Sequence, residues 1–184
     1  LDYAHARNVI HRDIKPENIL IYEGEAMVAD FGIALAANAA QAPRITGTGL
    51  VVGTPEYMAP EQALDEGADG RSDQYSLACV LFELLAGEPP YTGPSPTSII
   101  AKRLMDPVPS VRRLRNTVSA PADEAIMRAL SKVPADRFVT VGEFAGALSA
   151  PAPSRPKATS VAVLPFRNLS ADPENEYFAD GITE

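Results

Sequence analysis

Near the start of the chain stand His11-Arg12-Asp13-Ile14-Lys15-Pro16-Glu17-Asn18, followed after a short gap by Asp30-Phe31-Gly32. These residue types at this spacing suit one chemistry. The carboxylate of Asp13 can accept the proton of an incoming hydroxyl, and the ammonium of Lys15 can neutralise charge building on a transferred phosphoryl group. Asn18 and Asp30 bring hard oxygen donors that can hold magnesium between them. A further short run, Ala59-Pro60-Glu61, lies downstream.

Several elements must position these groups. The apolar runs Ile19-Leu20-Ile21-Tyr22 and Met27-Val28-Ala29, separated by Glu23-Gly24-Glu25, predict a two-stranded hairpin with Asn18 and Asp30 at its open end. Residues 1–7 read as the tail of a helix leading into the loop at His11. Residues 33–58 hold no helical period and read as a long loop. Ser72 is expected to cap a helix from Asp73 to about Ala86, ended by Gly87 and Pro89-Pro90. The apolar residues of that helix surround its axis, so it should be the buried central helix, with Cys79 packed as a small apolar side chain. Further helices are predicted at 97–105, 122–131 and 141–149, the last opened by a capping box, Thr140-Val141-Gly142-Glu143. A Pro-rich, semi-rigid linker follows at 150–159, and 161–166 reads as one strand.

The order and content of these motifs resemble the catalytic loop, metal loop and activation-segment end of a bacterial, eukaryotic-type Ser/Thr protein kinase, over residues 1–149. The resemblance implies an α+β, mainly α fold, a protein-kinase-like C-lobe with one β-hairpin. It implies ATP and Mg2+ as cofactors and proteins as substrates. The family's Gly-rich loop, strand Lys and helix Glu are not found in residues 1–10, so the expectation is a C-lobe whose N-lobe is absent, inactive alone. A non-catalytic binding module or gene remnant is the alternative. Residues 160–184 resemble the start of a TolB-like domain, cut short.

The resemblance also implies roles. Asp13 orients and deprotonates the hydroxyl, Lys15 stabilises charge on the phosphoryl group, and Asn18 and Asp30 ligate magnesium. Leu20 matches the position beneath adenine, ordinary core being the other reading. Thr54 matches the threonine that bridges the catalytic Asp and Lys in Ser/Thr-specific enzymes, against a plain turn residue after Gly53. His11 packs under Phe31. Asp73 accepts backbone hydrogen bonds from the catalytic loop, against a simple helix-start carboxylate. Arg137 pairs with Glu61, against a solvated arginine. Thr46 and Thr48 sit where such bacterial kinases autophosphorylate, with Arg12 poised to bind the added phosphate, against solvated loop residues. His5 reads as structural or surface.

Composition narrows the alternatives. The 184 residues carry 16 basic against 24 acidic side chains, a formal charge of −8, which argues against nucleic acid as a partner and leaves no polybasic membrane patch. No apolar run reaches the roughly 18 residues of a membrane helix. The single cysteine, Cys79, has no internal partner for a disulfide, in keeping with a cytoplasmic location.

Overall fold

The computed structural model describes residues 1–31, 44–45, 51–52 and 54–150. The chain divides into two units, Leu1–Ala152 and Pro153–Glu184, and the described residues fall in the first. The expected linker beyond Ala150 and the TolB-like start lie outside them, as do Thr46 and Thr48.

Helix α1, Asp2–His5, leads into an extended loop that ends in a 3-10 turn at Pro16–Asn18. Strand β1, Ile19–Tyr22, pairs antiparallel with β2, Glu25–Val28. The turn is two residues long: Glu23 and Gly24 both have positive φ, 51° and 84°, the pattern whose twist matches the flanking strands. A turn this tight sets Glu25 opposite Tyr22, so β2 begins two residues before the apolar run that marked it in the sequence. The Ala29 amide donates to the Asn18 carbonyl at 2.8 Å, holding the hairpin's open end together.

The expectation of a single hairpin is corrected. Within the stretch expected to be loop, β3, Arg44–Ile45, pairs antiparallel with β4, Val51–Val52. Ile45, Val51 and Val52 are β-branched and favour strands, but runs this short show no periodicity to read.

Among the described residues five α-helices follow: α2 at Pro60–Ala63, α3 at Gly70–Ala86, α4 at Pro96–Met105, α5 at Ala120–Ala129 and α6 at Val141–Leu148. The start of α3 departs from expectation. Asp69 is its N-cap, accepting from the Arg71 amide at 2.8 Å, and Ser72 lies inside the first turn, its hydroxyl committed elsewhere. Helices α4 and α5 each open on a serine cap, Ser95 and Ser119, with proline in the first turn, where no amide hydrogen is needed. At α6 only half of the expected box closes. Thr140 accepts from the Glu143 amide at 3.1 Å, but the Glu143 carboxylate turns back to the Val139 amide, one residue before the cap.

The core gathers around α3. Ala78, Cys79, Val80 and Phe82 pack with Ile14, Val111, Ile126, Leu130 and Phe144 in one buried cluster. The helix is less apolar in its burial than its sequence suggests. Its buried face includes Ser72, Asp73, Gln74 and Ser76, whereas Leu84 is 71% exposed. The buried polar groups have partners: Gln74 donates to the carbonyls of Phe138 and Thr140 and accepts from the Phe138 amide. Among the described residues no helix is long and apolar enough to cross a membrane.

Helix α3 ends at Gly87, whose φ of 88° lies in the left-handed region and whose amide donates to Glu83 O at 2.7 Å. A methyl group added at Gly87 would meet nothing within 4 Å, so only the backbone conformation opposes a side chain there. Gly87→Ala is expected to lower the unfolding free energy by about 1 kcal/mol. Urea titration should show a lower midpoint with an unchanged slope; an unchanged midpoint would mean that the left-handed cap is not required.

Candidate functional site

The loop between His11 and Asn18 has no ladder of its own, so its shape comes from side chains that reach it from elsewhere. Asp73, fully buried in the first turn of α3, accepts from the amides of His11 at 2.8 Å and Arg12 at 2.7 Å. Its Oδ2 also meets Nε2 of His5 at 2.8 Å. The neighbouring Arg12 adopts φ 68°, an uncommon backbone for a side chain of that size. Its carbonyl accepts from Gln62 Nε2 at 2.9 Å, while Gln62 Oε1 accepts from the Ala59 amide at 3.0 Å. The Arg12 side chain is exposed, and no hydrogen bond joins it to another described residue.

The bonds of His11 fix one tautomer. Nε2 lies 2.8 Å from the Ala29 carbonyl and must donate, while Nδ1 accepts from the Asp13 amide at 3.3 Å, so the ring is neutral with its proton on Nε2. The ring of Phe31 stands edge-on to it, centroids 5.0 Å apart and planes at 62°. His11 therefore links the loop to the segment that carries Asp30.

At the loop's centre the Lys15 ammonium donates to Asp13 Oδ2 at 2.7 Å. Asn18 Nδ2 donates to the Asp13 carbonyl at 2.7 Å and reaches Oδ2 at 3.3 Å. Asp13 Oδ1 has no partner among the described residues, and the side chain is about one-third exposed. The amide nitrogen of Asn18 is committed to Asp13, and its oxygen bonds to no other described residue. Asp30 is exposed, with φ 55°, two residues past the end of β2. The Ala29–Asn18 hydrogen bond ties the two oxygen-bearing residues through adjacent backbone.

Thr54 is not joined to this group. Among the described residues its hydroxyl bonds to neither Asp13 nor Lys15, and its carbonyl accepts from the Tyr57 amide at 3.3 Å. Leu20 is 52% exposed, so the reading of it as ordinary core fails.

Below the loop, Arg137 is buried and grips Glu61 with both ends of its guanidinium, Nη1 to Oε1 at 2.7 Å and Nη2 to Oε2 at 2.8 Å. Ser72 Oγ donates to the same Oε1 at 2.6 Å. Arg137 also donates to the carbonyls of Arg71, Ser131 and Lys132, so its hydrogen-bonding capacity is used in full. Burial alone would raise the Glu61 carboxyl, but the bonds and charge of Arg137, with Ser72, outweigh it and hold the group below its ordinary value. Nearby, the Tyr57 hydroxyl donates to Glu83 at 2.6 Å, and burial, reinforced by that carboxylate, pushes its pKa well up. Burial also pushes the Cys79 thiol up to about 12, which keeps it protonated and inert.

Three contributors were not picked out in the sequence: Gln62, Ser72 as a partner of Glu61, and His5 as a partner of Asp73. Gln62 had a faint signal, since it directly follows Ala59-Pro60-Glu61.

Because folding depresses Glu61, its contribution to stability is complete above the unfolded carboxyl range and is lost as pH falls through the folded value. Glu61→Gln should cost about 3–5 kcal/mol at neutral pH by leaving Arg137 buried without its counter-charge. The variant should also lose less stability than the wild type on acidification. Denaturant titrations at stepped pH check both; parallel acid limbs would show that another group titrates.

Comparison with known proteins gives a consistent picture. The protein kinase domain family matches residues 1–146. The chain is 48% identical over 147 residues to the serine/threonine-protein kinase PknD of Mycobacterium tuberculosis, a match covering 79% of this chain and 22% of that protein. It is 45% identical over 145 residues to the serine/threonine-protein kinase PknB of the same organism and to that of Mycolicibacterium smegmatis, covering 78% of this chain and 23% of each relative. The chain thus spans less than a quarter of the length of these curated relatives. The match runs through the Asp13 loop, the hairpin and the helices that hold them, and on this ground the chain belongs to the protein kinase domain family.

Proposed function

We propose that this chain is the C-lobe of a Ser/Thr protein kinase and supplies the residues that transfer the γ-phosphoryl of ATP to protein Ser or Thr hydroxyls. The observation that carries the reading is the orientation of Asp13: Lys15 and Asn18 occupy Oδ2, and no described residue takes Oδ1, where a hydroxyl would bind. In the transfer, the acceptor oxygen bonds to phosphorus as the bond to the ADP oxygen breaks, and the hydroxyl proton passes to Asp13. Lys15, held beside that carboxylate, faces the negative charge on the moving group. Thr54, once its hydroxyl comes to the Asp13–Lys15 pair, selects Ser and Thr over Tyr acceptors.

Asn18 and Asp30 would hold Mg2+. Their donor set fits: one amide oxygen and one exposed carboxylate are hard ligands, and magnesium commonly keeps waters and phosphate oxygens for its other positions. When bound, the ion neutralises phosphate charge. Leu20, exposed on β1, offers an apolar surface for adenine. In this family a Gly-rich loop and a strand lysine cover the phosphates, and the transfer proposed here is one made together with them. We further read 150–159 as a linker and 160–184 as the start of a TolB-like domain. Use of ATP and a buried thiol suit the cytoplasm.

In the chain completed with a family N-lobe, Asp13→Asn should reduce transfer about a hundredfold or more while ATP binding persists. Asp30→Asn should weaken magnesium-dependent nucleotide binding as well. Radiolabel transfer to a Ser/Thr peptide, beside calorimetry with Mg-ATP, separates the two; near wild-type transfer by Asp13→Asn would sink the assignment.

Thr46 and Thr48 are proposed autophosphorylation sites, each presenting a doubly charged group to the exposed Arg12. Arg12→Ala should make activity insensitive to phosphorylation. Phosphopeptide mapping of a Thr46→Ala/Thr48→Ala variant checks this, and full activity in that variant would make both threonines ordinary loop residues.

A further inference from the structure

Two arginines are fully buried on the described part of the chain, and they are used differently. Arg137 is neutralised by Glu61. Arg103, on α4, meets no carboxylate among the described residues. Its Nη1 donates to the Pro55 carbonyl and its Nη2 to the Glu56 carbonyl at 2.7 Å. Its Cζ lies 5.8 Å from the ring centroids of both Tyr75 and Tyr91, within the range at which an aromatic face attracts a cation. Nε has no partner among the described residues.

A charge taken out of water without a counter-ion is unfavourable, and a methionine would fill a similar space without that cost. What the guanidinium adds is a planar fork that reaches two consecutive carbonyls at once. Those carbonyls belong to the turn Thr54–Tyr57, closed by the Tyr57 amide on Thr54 O. The same turn is held from the other side by the Tyr57 hydroxyl on Glu83 of α3. Past the turn, Met58 packs with Ile100 of α4 in a small separate cluster, so α4 contacts this segment through both charge and packing. The polar grip on the turn is supplied from α4 by Arg103.

We propose that Arg103 is a positioning residue for the phosphoryl acceptor: it fixes the turn Thr54–Tyr57, and so links the placement of α4 to the affinity for the acceptor peptide. The proposal rests on the reading of Asp13 and Thr54 as the acceptor side of a kinase site. Arg103 itself touches neither substrate nor nucleotide. Its effect passes through two backbone carbonyls into the residue that directly precedes them.

The test uses Arg103→Met, which keeps bulk and loses the fork, and Arg103→Lys, which keeps the charge but only a point donor. In the 184-residue chain, hydrogen exchange at the amides of 56–59 should quicken about tenfold in Arg103→Met and less in Arg103→Lys, with α5 and α6 unchanged. In the chain completed with a family N-lobe, the KM for a Ser/Thr acceptor peptide should rise about tenfold in Arg103→Met, with the KM for ATP unaltered and partial recovery in Arg103→Lys. A merely structural role would instead speed exchange across α5 and α6, or abolish folding in both variants, and either result overturns the proposal. So does an unchanged peptide KM when exchange at 56–59 has quickened. If the completed wild-type domain transfers no phosphoryl group, the kinase reading fails, while the exchange pattern still decides whether Arg103 holds the turn.

Discussion

The carboxylate of Asp73 is the fixed point of this site. It stands buried at the start of α3 and takes two successive backbone amides, those of His11 and Arg12, on its two oxygens. A loop without a ladder would otherwise sample many conformations, and two short bonds to one rigid helix remove that freedom. Charge-assisted bonds of this kind are stronger than neutral ones, and the position of Asp73 in the first turn adds the favourable end of the helix dipole. The direction of the Asp13 side chain, and through it the reach of Lys15 and Asn18, follows from where this one carboxylate holds the chain.

A second set of contacts carries that reference outward. Gln62 holds the Arg12 carbonyl while Asp73 holds the Arg12 amide, so both sides of one residue are pinned by different helices. Gln62 adjoins Glu61, and Glu61 is locked by Arg137 from a turn far along the chain. The short helix α2 therefore belongs mechanically to the His11–Asn18 loop and to the helical base together. Removing one partner of the buried pair would loosen a segment that contacts the loop directly, so stability and site geometry are coupled there.

Motifs made of neighbouring residues were readable because their chemistry is local. Asp13, Lys15 and Asn18 lie within one loop, and the hairpin announced itself by two apolar runs around Glu23-Gly24. The ends of α3 were half readable: Gly87 marked the stop, but Asp69 and Ser72 are both good caps and only the tertiary bond of Ser72 to Glu61 separates them. Gln62, His5 and Arg103 act on partners dozens of residues away, so their spacing carries no trace of the contact. The polar side of α3 was hidden for a related reason. Apolarity predicts burial well, whereas Gln74 is buried because distant carbonyls satisfy it.

Two residues of the site, Arg12 and Asp30, hold left-handed backbone without being glycine, at φ 68° and 55°. Aspartate tolerates that region, but for arginine it is a strain of about 1 kcal/mol or more. Glycine at position 12 would relax the loop and leave both its amide and its carbonyl free to bond as they do now. The fold therefore accepts a local loss of stability to keep a long cationic side chain at a place where backbone direction is fixed from both sides. A chain under no demand at this loop has a less strained residue open to it, and the arginine marks where folding stability has been exchanged for a side chain rather than for the backbone geometry, which the bonds to Asp73 and Gln62 already set.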